Sequence, residues 1–246
     1  VSTAQLDPAE VHAVIIAVKE LGPEPRKARW AHLSLCVLDA TFSIGLDYDA
    51  VVSPLVFRYA EFAKLSPVIF RGPELETKLS PRPNEQTLTD FLCSIHDFTD
   101  AYLADKVLRS NTRTSTTNGI LKSAATRQIA EALVGEGIQT LSDVKTLLSD
   151  SQTERLAKVE KRIKAVKGSG NQGIRTGYIW MTAGDDNHVK PDRHVLKWLQ
   201  NVLGRKVTVT EARNLLQETA TTLQLTPWVV DHAIWNHMAR TRPNKP

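Results

Sequence analysis

Apolar residues recur at helical spacing through most of this sequence, and that periodicity is its strongest constraint on the fold. Val11, Val14, Ile15 and Val18 form one stripe, entered through Asp7, Pro8 and Glu10, which read as an N-cap, an N1 proline and an N3 acid. The same pattern predicts helices over residues 27–40, 49–65, 87–97, 100–108, 118–134, 140–149, 151–166, 171–183, 191–203, 208–223 and 226–240. Pro54 is tolerable only near the first turn of its helix. Thr208 with Glu211 reads as a capping box, and Thr226 precedes Pro227 at an N1 position. Residues 41–48 must be a tight connection. Residues 66–86, carrying Pro67, Pro73, Pro81 and Pro83, read as a long irregular loop. No stretch alternates as a half-buried strand would, although 207–210 could extend briefly, so the fold class is all-α.

With 246 residues and 41% hydrophobic content, the chain can bury one large core or two smaller lobes. Its net charge of +4 separates a nucleic-acid binder from an average protein only weakly. Cys36 and Cys93 stand far apart, offering neither a disulfide framework nor a metal quartet, and read as core thiols of a reducing compartment. No run approaches the roughly 18 apolar residues of a membrane span, and the start lacks the basic-then-apolar order of a signal peptide. A cytoplasmic protein without membrane association is expected.

One segment is unusual. Lys167, Gly168, Ser169, Gly170, Asn171, Gln172 and Gly173 join a basic helix to an apolar one. Glycines so spaced let backbone amides approach an anion at a helix start, although such a turn is by itself most often only a turn. Downstream, Pro191 fits a first turn and leaves Asp192 at the positive end of the 191–203 helix, where an acid complements the dipole. His188 and His194 flank it but form no ligand set with other His, Cys or acidic residues, so no metal or cofactor is expected.

The run from Gly168 to Val195 resembles the signature of the helix-hairpin-helix (HhH-GPD) DNA glycosylase superfamily: a Gly-x-Gly hairpin, an apolar helix, then an aspartate about 20 residues later opening the next helix. Lys190, Pro191 and Asp192 stand where that family has its Pro-Asp or Val-Asp pair. The segment from Asn118 to Ala124 is similar to the loop and helix start that precede the hairpin in these enzymes, and Trp30 to Tyr59 to their early helix pair. Residues Leu225 to Arg240, with Asp231, His232, Ala233, Ile234 and Trp235, resemble the C-terminal helix of bacterial relatives.

The resemblance implies a two-lobed fold, with residues 26–186 as the central lobe, 1–25 and 187–246 as the second, and DNA and the base pocket between them. It implies a monomer acting on double-stranded DNA, with Asp192 as catalytic carboxylate stabilising the positive sugar and orienting water. The DNA contacts it implies are Lys167, Gly168, Ser169, Gly170, Gln172 and Gly173 of the hairpin, with Asn118, Gly119, Lys122 and Arg113 within a 106–130 segment that lacks acids. Phe42, Tyr48 and Trp30 are candidates for stacking on or replacing a flipped base, although such residues are more often core. Bifunctional members carry a lysine just past the hairpin, where this chain has Asn171, Gln172 and Gly173, so a monofunctional hydrolase leaving an abasic site is expected. The four-cysteine iron-sulfur cluster of some branches cannot be built from two cysteines. The same chemistry would serve repair or excision of a modified base from phage DNA, and a non-catalytic hairpin DNA-binding module is the competing reading.

Overall fold

The computed structural model describes residues 6–70, 84–169 and 174–240. They are predominantly helical, and the fold is all-α. The chain divides into two compact units, one of residues 1–26 with 185–246, the other of residues 27–184.

Helix α1, Pro8–Glu20, opens the first unit, with the Asp7 side chain accepting from the Ala9 N–H at 2.8 Å. The second unit begins with a strand, β1, Ala28–Trp30, where the sequence predicts helix; it pairs antiparallel with β2, Val68–Phe70, inside the predicted loop. Three-residue strands carry too little alternation to register against helical periodicity. Helix α2, Leu33–Phe42, is buried at every position, which its apolar sequence allows and which makes it the centre of this unit. A π-helical turn at Tyr48–Val52 leads into α3, Ser53–Phe62, placing Pro54 in the first turn as expected.

Then follow α4, Leu88–Ser94, behind a Thr87/Asp90 capping box, and α5, Asp100–Tyr102, running into a π-helical turn at Leu103–Leu108. Helix α6 is Lys122–Val134, starting four residues later than the periodicity predicts because Arg113 and Leu121 form an isolated antiparallel bridge. Helices α7, Leu141–Leu147, and α8, Thr153–Ala165, precede the glycine-rich turn, and α9, Ile174–Thr182, follows it. Leu35, Leu38, Leu55, Tyr59, Phe91, Ile129, Ile179 and Trp180 are among the residues that fill the core around α2.

The first unit is completed by α10, Arg193–Leu203, α11, Val209–Leu223, and α12, Pro227–Arg240. Residues 207–210 do not extend as a strand: Thr208 caps α11 through a box with Glu211. These three helices and α1 pack around Val14, Val18, Val195, Trp198, Leu199, Leu215, Leu216, Val230 and Ile234. Among the described residues no helix is long and apolar enough to cross a membrane.

Candidate functional site

Within the 27–184 unit, two loops distant in sequence meet. Gly168 has φ +88°, and a Cβ there would lie 2.2 Å from Thr114 Cβ and 2.4 Å from its hydroxyl, so the turn after α8 can sit on the 112–121 loop only because residue 168 lacks a side chain. That loop closes on itself: the Thr114 N–H donates to Ile120 O at 2.9 Å, the Lys122 N–H to Thr112 O at 2.9 Å, and the Arg113 guanidinium to Gly119 O at 2.7 Å. Asn118 takes a left-handed φ of +54°, and Gly119 packs so tightly on Ser115 that a Cβ would lie 2.4 Å from its backbone N and O. Arg113, Asn118, Lys167 and Gly168 are exposed on these loops, and Ser169 is buried. Gly170, Gln172 and Gly173 lie outside the described residues, as does Asn171.

Two cations of the acid-free segment are used internally. Lys122 is 2% exposed, and its ammonium donates to Phe42 O at 3.0 Å and Ile44 O at 2.6 Å, so it neutralises carbonyls at the end of α2 and is not presented to a phosphate. Burial, then the charge of Arg175, lowers its pKa to about 8. Arg127 is paired with Asp100 and with the carbonyls of Ile95 and Phe98.

Two of the predicted base-contacting aromatics, Trp30 and Tyr48, bond to a buried acid that the sequence reading overlooked. Asp39, 1% exposed in α2, accepts from Trp30 Nε1 at 2.6 Å, Ser43 Oγ at 2.7 Å and Tyr48 Oη at 3.0 Å. Trp30 is buried edge-on against Phe57, Phe42 is fully buried, and Tyr48 is half-buried with its phenol held far above the usual range by burial and by Asp39. Phe42 is therefore a core residue in this arrangement, and Tyr48 is the most accessible of the three.

In the other unit, Asp192 is the N-cap of α10; the helix starts at Arg193, so Pro191 precedes the cap instead of occupying the first turn. Asp192 Oδ1 accepts from the His194 N–H at 2.8 Å and the Val195 N–H at 3.3 Å, while Oδ2 lies 3.7 Å from Lys190 Nζ. With 21% of its side chain exposed, the carboxylate is fixed at one oxygen by the two N–H groups and is as a whole partly open to solvent. Behind it, buried Asp231 accepts from the Lys190 N–H at 2.7 Å. Burial pushes its carboxyl up to about 7; Lys190 opposes that rise and the charge of Asp192 adds to it.

Asp231 sits beside a layered stack. The Arg26 guanidinium lies 3.9 Å over Trp228, whose ring stacks on His232 at 4.4 Å, and His232 faces Trp235 at 6.2 Å. Arg26 is anchored to Asp186 at 2.9 Å. Burial, reinforced by Arg26 and Lys190, lowers the His232 pKa to about 4. His188 is hydrogen-bonded to Asp185. Among the described residues, no group of His, Cys, Asp and Glu is placed to hold a metal ion.

Asp39, Asp231 and Arg175 share a signal that could have found them: each is a lone charge within an apolar helical run. A family model described as a domain of unknown function (DUF8548) matches residues 10–239, and the chain belongs to that family. No curated protein and no solved structure matches it.

Proposed function

We propose that this chain is a monofunctional DNA glycosylase of the helix-hairpin-helix type, with Asp192 as its catalytic carboxylate. The observation that carries the reading is the Asp192 cap: a partly exposed carboxylate oriented by two backbone N–H groups, with its second oxygen beside Lys190. Its place downstream of a glycine-rich turn is the family-like spacing. The exposed Arg113, Asn118 and Lys167, on loops locked together at Gly168 and Thr114, supply a surface suited to a phosphate backbone.

In the reaction, the bond between the sugar C1′ and the base nitrogen breaks, and its electron pair leaves with the base. Asp192 Oδ2 stabilises the positive charge that develops on the sugar and accepts a proton from the water that adds to C1′. A proton taken up by the departing base completes the balance. The products are a free base and an abasic strand.

The test is a base-release screen on duplexes carrying alkylated, oxidised, deaminated or mismatched bases, and on modified phage DNA, with the freed base read by mass spectrometry. An active substrate should lose turnover by at least about a hundredfold in Asp192→Asn, while the fold survives because Asn caps a helix as well as Asp. Borohydride should trap no protein-DNA adduct, and strands should break only after hot alkali. Salt-sensitive DNA binding without base release from any substrate would instead indicate a non-catalytic binding module.

A further inference from the structure

The segment that leads into α10 has few backbone anchors. Pro191 has no N–H and disfavours a helical conformation at Lys190, so residues 190–192 offer two amides, those of Lys190 and Asp192. The Asp192 N–H turns back onto Lys190 O at 2.6 Å, a tight three-residue turn, and the Lys190 N–H donates to Asp231 Oδ2 at 2.7 Å. Lys190 also reaches forward, its ammonium lying 3.7 Å from Asp192 Oδ2. Lys190 therefore ties Asp192 twice, by backbone and by side chain, to a carboxyl on α12. All three residues belong to one compact unit.

Asp231 is a costly way to hold one amide. It is 3% exposed on a stretch of α12 where Val230, Ala233 and Ile234 are also buried, and an asparagine would accept the same bond without a buried charge. Burial pushes its carboxyl up to about 7, with Lys190 opposing the rise and Asp192 adding to it. Acids so strongly shifted cluster where a site uses charge. His232, the next residue on α12, is held at about 4 by burial, Arg26 and Lys190, so it is neutral in the range where Asp231 titrates. We propose that Asp231 is a positioning residue for Asp192: it fixes the turn at Lys190, and through Lys190 sets the Asp192 carboxylate at the start of α10. That Asp192 is catalytic rests on the glycosylase reading, whereas its coupling to Asp231 does not.

The first measurement uses the full chain and no substrate. NMR follows the Lys190 amide and the Asp192 carboxyl against pH in wild type, in Asp231→Asn, which keeps an oxygen acceptor, and in Asp231→Leu, which does not; Asp192→Asn identifies the Asp192 signal. In wild type both signals should shift near pH 7 as Asp231 ionises, and in Asp231→Asn neither should. Hydrogen exchange at the Lys190 amide should stay within about threefold of wild type in Asp231→Asn and be at least about tenfold faster in Asp231→Leu, with the α11 amides as the folding control. Signals that ignore Asp231 through this range overturn the proposal, as does wild-type exchange in a folded Asp231→Leu. Should Asp231→Leu lose protection in α11 as well, the titration of wild type against Asp231→Asn decides alone. The second measurement is base release from the duplexes of the screen above. Asp231→Leu should lower kcat by about tenfold or more with KM within about twofold, and Asp231→Asn should restore kcat to within about threefold of wild type. Full kcat in Asp231→Leu would overturn the positioning role with Asp192 still catalytic. Absence of base release from every duplex would instead fail the glycosylase reading, and the titration would still decide whether Asp231 positions Asp192.

Discussion

Asp39 and Asp231 are both buried acids set in apolar helices, one in each unit, and their surroundings treat them in opposite ways. Asp39 meets an indole N–H and two hydroxyls, all within 3.0 Å, so its lone pairs are engaged and the group acts as a fixed strut between α2 and its neighbours. Asp231 accepts one backbone N–H and shares its region with Asp192, so its carboxyl is pushed up to about 7. Burial of both acids is thus accompanied by side-chain donors around Asp39 and by a single backbone donor at Asp231.

The largest effect should come from removing the strut. Asp39→Ala strands the Trp30, Ser43 and Tyr48 donors in a buried site and should cost about 3–5 kcal/mol, measured by denaturant unfolding. A loss under about 1 kcal/mol would mean that Asp39 is no better supported than Asp231, and the comparison would break.

Asp231 should reveal itself through pH. Its folded pKa of about 7 lies above the ordinary 3.8, so its contribution to stability is present below about 4 and is lost as pH rises through about 7. Relative to wild type, Asp231→Asn should gain as pH rises across that window, by on the order of 3–4 kcal/mol. His232 works in the other direction: its folded pKa of about 4 lies below the ordinary 6.5, so its contribution is present above 6.5 and lost as pH falls through about 4. His232→Gln should therefore gain relative to wild type as pH falls. Urea melts at several pH values check both slopes, and parallel curves for all three proteins would remove Asp231 and His232 as titrating partners of this region.

A smaller effect tests the loop contact. Gly168→Ala places a methyl against Thr114 at a positive φ, and should cost about 1–3 kcal/mol. Adding Thr114→Gly should recover the steric part and leave the backbone part. If the proposed DNA binding holds, duplex affinity should weaken alike for every sequence, measured as a salt titration, because a backbone contact carries no base information. The smallest change sharpens the Asp39 case: Trp30→Phe deletes one donor to Asp39 and should cost about 1 kcal/mol, with the Tyr48 and Ser43 bonds retained.

Local signals made most of the helices legible. Asp7 with Pro8, Thr87 with Asp90, Thr140 with Asp143 and Thr208 with Glu211 all act as caps, since capping is settled by residues within one turn of each other. Asp192 was legible for the same reason as the residue that opens α10, though its place as the cap itself came one position from the expected first turn. The short strands were not legible, because β1 is held by pairing with a segment nearly forty residues away rather than by its own pattern.

What sequence by itself determined is thus the all-α class, the starts of the helices with side-chain caps and the order of motif-like residues along the chain, all products of local backbone chemistry. Only tertiary structure decided which charges are engaged. Lys122 reads in sequence as one more surface cation, yet it is drawn inward by two carbonyls some eighty positions upstream. Arg175 and Asp39 look alike as single charges in apolar helices, yet among the described residues Arg175 has no acceptor while Asp39 accepts from Trp30, Ser43 and Tyr48. A charge in a core is defined by its partners, and those partners come from distant parts of the chain, so no local pattern specifies them.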